Sequence, residues 1–305
     1  MDKKQLLGLD PKEYEHPFDR EALAKLKRIP GLETVTNAFL NWTYVKWHII
    51  ELQGSNFKIT EDSCPELYKL VKEVEVTLDV ADSPEVYTQW GYSINGSTTG
   101  TKGNTLMVLN SGAVDLLSNE QLKYVIGHEM GHIKSNHVLY HMMAQFFPMF
   151  ASMVPVVGGL VGTSLELVLM YWSRMSEFTA DRAGLLACQN KDAALSAIVK
   201  MAGLPLKYFE NINEQAFLDQ AEAFEQMHKD FLSGTMQNLS ILTSTHPWTV
   251  YRAAELVKWI NSGEYDRILS HTTNNTKRCR VCGHAVPADV DVCPYDGSDE
   301  FEPIE

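Results

Sequence analysis

The sequence predicts an α+β fold, mostly helical, with a small β-sheet and a separate small tail. Three observations carry this reading. Apolar residues recur at steps of three and four along much of the 305-residue chain. Two short runs, PEVYTQW (84 to 90) and TLMVLN (105 to 110), have the composition of strands. Three of the five cysteines, Cys279, Cys282 and Cys293, fall within the last 30 residues.

Taken in order, EALAKLKRIPG reads as a short helix stopped by Pro30 and Gly31. Residues 33 to 52 carry apolar residues at helical spacing and end at Gly54. A further helix is expected at 63 to 78, where Cys64, Leu67, Leu70, Val71 and Val74 share a face. The two strand runs flank the loop INGSTTGTKGN and read as a hairpin or as neighbours. Ser118 and Gln121 form a capping-box pair ahead of an apolar-periodic run, so a helix starts there. Helices are expected again at 173 to 189, 190 to 203, 211 to 232 and 248 to 261, with a polar loop at 262 to 276.

Residues 142 to 165 contain no charged side chain, but hold Pro148, Pro155 and three glycines. The length alone would suit a membrane span. Composition and usage elsewhere are ordinary for a globular chain, 45% hydrophobic and 21% charged. The net charge of -13 disfavours nucleic acid and anionic membrane surfaces as partners. The N-terminus MDKKQLLGLDPKEYEHP has basic residues without an apolar stretch behind them. This predicts no signal peptide and a cytoplasmic location. An odd, clustered cysteine count fits a reducing compartment and a metal knuckle better than a disulfide framework.

The stretch VIGHEMGHIKSNH carries the chemistry. His128 and His132, four apart on a helix, lie about 40° apart on the wheel and can reach one zinc ion. Glu129 is offset by about 60° to 100°, too far to be an equivalent ligand but near enough to touch a zinc-bound water. Chance alone would place the three residues so in about 2% of chains of this composition. A catalytic zinc needs one more protein ligand and an open position. Ser135 and Val138 stand where a third histidine on the same segment would need glycine and histidine. His137 and His141 lie about 140° to 180° round the helix and read as surface or packing residues. Glu177 is the best remaining ligand. It opens Glu-Phe-Thr-Ala-Asp, placing Asp181 one turn on, where it could orient a ligand histidine. Ala180, Ala183 and Gly184 are small enough to let this helix pack closely.

HEMGH, SEFTAD, and THP at 245 to 247 with Arg252 after it resemble the M48 family of zinc metallopeptidases. The similarity runs from about residue 25 to about 262. The resemblance implies a zincin-like (gluzincin) fold, zinc on His128, His132 and Glu177, and Glu129 as general base. It makes Asp181 a partner behind the ligands, His246 a histidine near the zinc and Arg252 a nearby basic residue. The implied substrates are proteins or peptides, and the implied activity is endopeptidase. One departure is Gly96, where the family more often has alanine, which bears on the local loop rather than the chemistry.

Family members with membrane passes bear on residues 142 to 172. His132 and Glu177 must meet one ion, so the chain between them must return to its starting side. Two passes need about 40 apolar residues, more than the interval from Met142 to Ser173 holds. The segment is expected to be buried, to form an oligomer contact, or to touch a membrane peripherally. TLMVLN reads either as a plain central strand or as an edge to which an extended substrate adds.

In the tail, Cys279-x-x-Cys282-Gly and Cys293-x-x-Asp296-Gly have the form of two zinc knuckles, as in a zinc ribbon. Asp296 takes the fourth place, with His284 a weaker candidate, for a second, structural zinc. Three Lys/Arg against seven Asp/Glu from 277 to 305 favour a protein contact or a regulatory role over nucleic acid. The expected division is an N-terminal helical segment, 1–62, packed on a peptidase domain, 63–270, followed by the tail, 271–305. A non-catalytic zinc protein that binds peptides is the competing reading, and the glutamate of the motif argues against it.

Overall fold

The computed structural model describes residues 3–101, 103–153, 162–231, 248–270, 276–283, 285–288 and 290–303. The chain opens with α1 (Pro11–Tyr14) and α2 (Pro17–Lys27), each with proline in its first turn and a side-chain cap, from Asp10 and His16 respectively. The helix expected over 33 to 52 is two, α3 (Leu32–Leu40) and α4 (Thr43–Ser55). Asn41 ends the first by donating its side-chain amide to the Asn37 carbonyl, and Trp42 turns extended. The Trp42 ring packs on Phe39 and Phe150, so tertiary contact breaks a run that periodicity alone would continue.

The sheet comprises β1 (Phe57–Ile59), β2 (Glu85–Gln89), β3 (Gly96–Thr101) and β4 (Asn104–Asn110), in the order β1-β2-β4-β3. Between β1 and β2 comes α5 (Pro65–Thr77), as its spacing predicts. β2 and β4 are neighbours, but parallel. β4, the TLMVLN run, is flanked on both sides and has no free edge. The edge belongs to β3, GSTTGT, which carries no large apolar residue and reads as loop.

α6 (Ser111–Leu116) leads to α7 (Asn119–Lys134), whose N-terminus has both hydrogen bonds of the Ser118–Gln121 capping box. α7 ends at Ser135, and Asn136 takes φ +57°. α8 (Val138–Met153) then starts in a new direction, with Pro148 inside it. Next come α9 (Gly162–Cys188), α10 (Lys191–Met201), a 3₁₀ turn at Leu206–Asn211, α11 (Glu214–Phe231) and α12 (Thr249–Asn261). Residues 262 to 276 are not all loop: α13 spans Glu264–Ser270, with Tyr265 and Ile268 buried. The tail holds β5 (Thr276–Cys279), β6 (Ala285–Pro287) and β7 (Phe301–Pro303), ordered β6-β5-β7.

One apolar core runs from Leu6 to Ile268, so the N-terminal helices share it. The tail has a small cluster of its own around Cys279, Val286 and Cys293. Between residues 142 and 172, Met142, Met143, Phe146, Phe147 and Phe150 are buried, as are Leu165, Leu169 and Trp172. Among the described residues, no helix is long and apolar enough to cross a membrane.

The crossing of α7 and α9 positions the site. A Cβ added at Gly127 would lie 2.2 Å from the Ala187 Cβ, and one at Gly131 would lie 2.5 Å from the Ala183 Cβ. Gly184 is as close to the Tyr124 carbonyl, at 2.7 Å from an added Cβ. Small residues on both helices therefore let the backbones approach, and Glu177 and Asp181 come to face His128 and His132.

Candidate metal centre and catalytic cleft

The Nε2 atoms of His128 and His132 are 3.3 Å apart, and each faces its own Glu177 carboxylate oxygen at 3.4 Å, His128 to Oε2 and His132 to Oε1. All three residues are buried. A tetrahedral ion with bonds of about 2.0–2.1 Å has ligand atoms about 3.3–3.4 Å apart. The donor set is therefore both chemically and dimensionally right for zinc.

Each of these candidate ligands has a partner behind it. The Asp181 carboxylate faces His128 Nδ1 at 3.0 Å. Arg252 donates to both oxygens of Asp181, from Nε at 2.9 Å and from Nη2 at 2.5 Å, and its Nη1 lies 3.5 Å from Glu177. Tyr124 donates its hydroxyl to Asp181 at 2.6 Å. Tyr124 went unnoticed in the sequence, although it stands one helical turn before His128. Arg252 thus holds Asp181 and Glu177, and it also lines the cleft. His246 lies outside the described residues, as does His284 in the tail.

These contacts set the protonation states. Burial pushes His128 down, but Asp181 and Glu177 outweigh it and lift it to about 9. Burial holds His132 down at about 4, against the pull of Glu177. Glu177 is held well below the usual carboxylate range because both histidines outweigh its burial. Asp181 is lowered because the Arg252 charge overcomes burial. Glu129 goes the other way: burial raises it to about 7, with His128 opposing.

Glu129 lies on the wall of a cleft of about 450 Å³, together with Asn95, Gly96 and Thr98 of the β3 region. A Cβ at Gly96 would be 2.9 Å from Glu129 Cγ and 3.0 Å from its Oε1. The glycine at 96 therefore bears on the residue beside the candidate ligands, not on the loop conformation expected to be in question.

His137 and His141 are not surface residues. His137 is buried, with Nδ1 3.1 Å from His132 Nδ1. His141 packs its ring on His132, with centroids 4.6 Å apart, and faces the Ser173 and Ser176 hydroxyls. The wheel that turned them away assumed one continuous helix, and the break at Asn136 redirects them.

In the tail, Gly283 N–H returns to the Cys279 carbonyl at 3.0 Å, and Gly297 N–H to the Cys293 carbonyl at 2.9 Å. Both glycines have φ near +75°, so the two knuckles have matching geometry. Asp296 sits where the second knuckle would carry cysteine, 3.4 Å from Cys279 Sγ. The donor atoms of Cys279, Cys282, Cys293 and Asp296 all lie within 4.8 Å of one another.

Two histidines on one helix, closed by a carboxylate from another beside a free-standing glutamate, define a metal-dependent hydrolase. Residues 63–260 match the model of peptidase family M48, and the chain belongs to that family. It is a zinc-dependent metalloendopeptidase acting on proteins or peptides. It is similar to plastoglobule-localized metallopeptidase 48, chloroplastic, of Arabidopsis thaliana, 28% identical over 88% of this chain and 78% of that protein. It is also similar to the protease HtpX homologs of Methylibium petroleiphilum and Polynucleobacter necessarius. The first is 27% identical over 67% of this chain and 77% of its own length, the second 26% over 68% and 78%. No solved structure matches it. The cytoplasmic location expected from the N-terminus is overturned, because the plant relative carries a chloroplast plastoglobule name.

Proposed function

We propose that His128, His132 and Glu177 hold the catalytic zinc of a gluzincin-type site and that Glu129 is its general base. The observation that carries this is the close gathering of the donor atoms, Nε2 to Nε2 at 3.3 Å and each Nε2 to its own Glu177 oxygen at 3.4 Å, with Glu129 beside them and outside the set. When bound, zinc there would acidify a water and polarise the scissile carbonyl. Glu129 accepts the proton as water attacks the carbonyl carbon, and passes it to the amine nitrogen as the C–N bond breaks. Its burial keeps its proton affinity near neutrality, which suits a group that must both take and return a proton. Asp181 fixes His128 through its Nδ1, and Tyr124 and Arg252 fix Asp181. His246 is assigned to the oxyanion on the strength of the THP resemblance.

An extended peptide pairs with the free edge of β3 at the end nearest Glu129, where Asn95 to Thr98 line the cleft. The tail is a zinc ribbon with a second, structural zinc on Cys279, Cys282, Cys293 and Asp296. Residues 1–62 form a helical segment packed on the 63–270 peptidase unit, and 271–305 form the tail. The test is digestion of a mixed peptide library by zinc-loaded wild type and Glu129→Gln, read by mass spectrometry. Cleavage by the wild type alone is expected. Equal cleavage by both overturns the assignment of Glu129.

A further inference from the structure

The two histidines of the centre are backed differently. His128 meets an aspartate directly, whereas His132 meets His137, Nδ1 to Nδ1 at 3.1 Å. His137 in turn places Nε2 3.2 Å from Asp19 Oδ2. Asp19 lies on α2, in the N-terminal segment, and is fully buried. It accepts from Trp172 Nε1 at 2.9 Å and from the Thr179 hydroxyl at 2.6 Å, both on α9, which also carries Glu177.

Proton accounting gives this chain a direction. A histidine that ligates through Nε2 carries its one ring proton on Nδ1. His132 must therefore donate to His137 Nδ1, which must be bare. The His137 proton then sits on Nε2 and is donated to Asp19. Asp19 cannot donate back, since its other contacts are donors too. Each step fixes the next, and the buried carboxylate determines which nitrogen of His132 is free for metal.

We propose that His137 and Asp19 are positioning residues for the metal centre, a relay through which the N-terminal segment sets the tautomer and orientation of His132. The inference rests on His132 being a zinc ligand. Carboxylates that back ligand histidines commonly change metal affinity ten- to a hundredfold, and this one acts through an intervening imidazole.

The test uses full-length protein and zinc affinity measured by chelator competition. His137→Asn keeps an acceptor, Oδ1, near the place of Nδ1; His137→Leu does not. Both lose the Asp19 contact. The Leu variant should bind zinc ten- to a hundredfold more weakly than wild type and the Asn variant within about threefold. Asp19→Asn should weaken binding alone but add nothing to His137→Leu. Equal affinity for the Asn and Leu variants, or additive losses, overturns the relay. Should the Leu variant fail to fold, ring-nitrogen NMR of the zinc-loaded wild type decides. His137 should be the Nε2–H tautomer, and a proton on its Nδ1 overturns the proposal. His132→Ala serves as the control: if it binds zinc as tightly as wild type, the ligand assignment itself has failed, whatever the relay does.

Discussion

Gly96 at the start of the edge strand lies so close to Glu129 that a single added methyl would be 2.9 Å from its Cγ and 3.0 Å from its Oε1. Strand and base therefore share a wall with no space between them. Alanine is the residue the M48 resemblance leads one to expect here, so a single methyl should be met by a small shift of the Glu129 side chain. The bulkier Gly96→Val should instead push the carboxylate aside while leaving His128, His132 and Glu177 in place. We expect the kcat of Gly96→Val to fall by about tenfold or more, since small misplacements of a catalytic group are costly. Zinc content and Tm should stay near wild type. An unchanged kcat would show that Glu129 works from another rotamer.

The crossing of α7 and α9 makes a second prediction. Gly127→Ala brings a Cβ to 2.2 Å from that of Ala187. The helices must part, which costs about 1–3 kcal/mol as overpacking and draws Glu177 away from the histidines. Both Tm and zinc affinity should fall. Adding Ala187→Gly returns the missing space and should restore most of both, as coupling between touching residues requires. Thermal unfolding and chelator competition on the single and double variants check this.

Much of the centre was legible in the sequence because its spacings are local. His128, Glu129 and His132 share one helix, and Glu177 and Asp181 share another, so helical geometry puts each set on one face, while the choice of Glu177 leaned on the first motif and on the M48 resemblance. His137 proved a packing residue, one of the two expected readings, but the wheel turned it away from His132 because it ran on through Asn136, where a left-handed residue ends the turn. Asp19 had no local signature, since it meets the centre only through tertiary contact, and Tyr124, one turn before His128, gains its role only from the contact with Asp181. β3 was missed because glycine and threonine without large apolar residues resemble a loop until a neighbouring strand pairs with them.

A third prediction concerns protons released on zinc uptake. Without metal, His128 is held at about 9 and Glu129 near 7. At pH 7 His128 is charged and must lose its proton to ligate. Zinc affinity should therefore rise with pH, close to tenfold per unit, and level off above about 9. About one proton should leave per zinc bound near neutrality, with Glu129 adding a fraction. Calorimetry in buffers of different ionisation heat measures this number directly. A value near zero would mean that His128 is not a ligand.

The tail supplies the last prediction. Among the described residues its buried apolar cluster is Cys279, Val286 and Cys293, with Cys282, Tyr295 and Phe301 packed around it. So small a core cannot hold three short strands unaided. A metal ion that gathers four side chains would supply the missing stability, and its binding would then be coupled to folding. Wild type should hold about two zinc ions per chain by elemental analysis, and Cys293→Ser about one. Lys277, Arg278 and Arg280 stand on or beside β5, so trypsin gives a direct readout. Cleavage there should be slow in the zinc-loaded protein and fast in Cys293→Ser, while the catalytic zinc and the 3–270 core survive. Asp296→Cys completes the second knuckle with a softer ligand, and should resist both chelator and trypsin better than wild type. If the wild type itself holds only one zinc ion and Cys293→Ser is cleaved at the same rate, the tail folds without metal, helped by contacts such as the Tyr295 hydroxyl on Asp79, and its knuckles hold none.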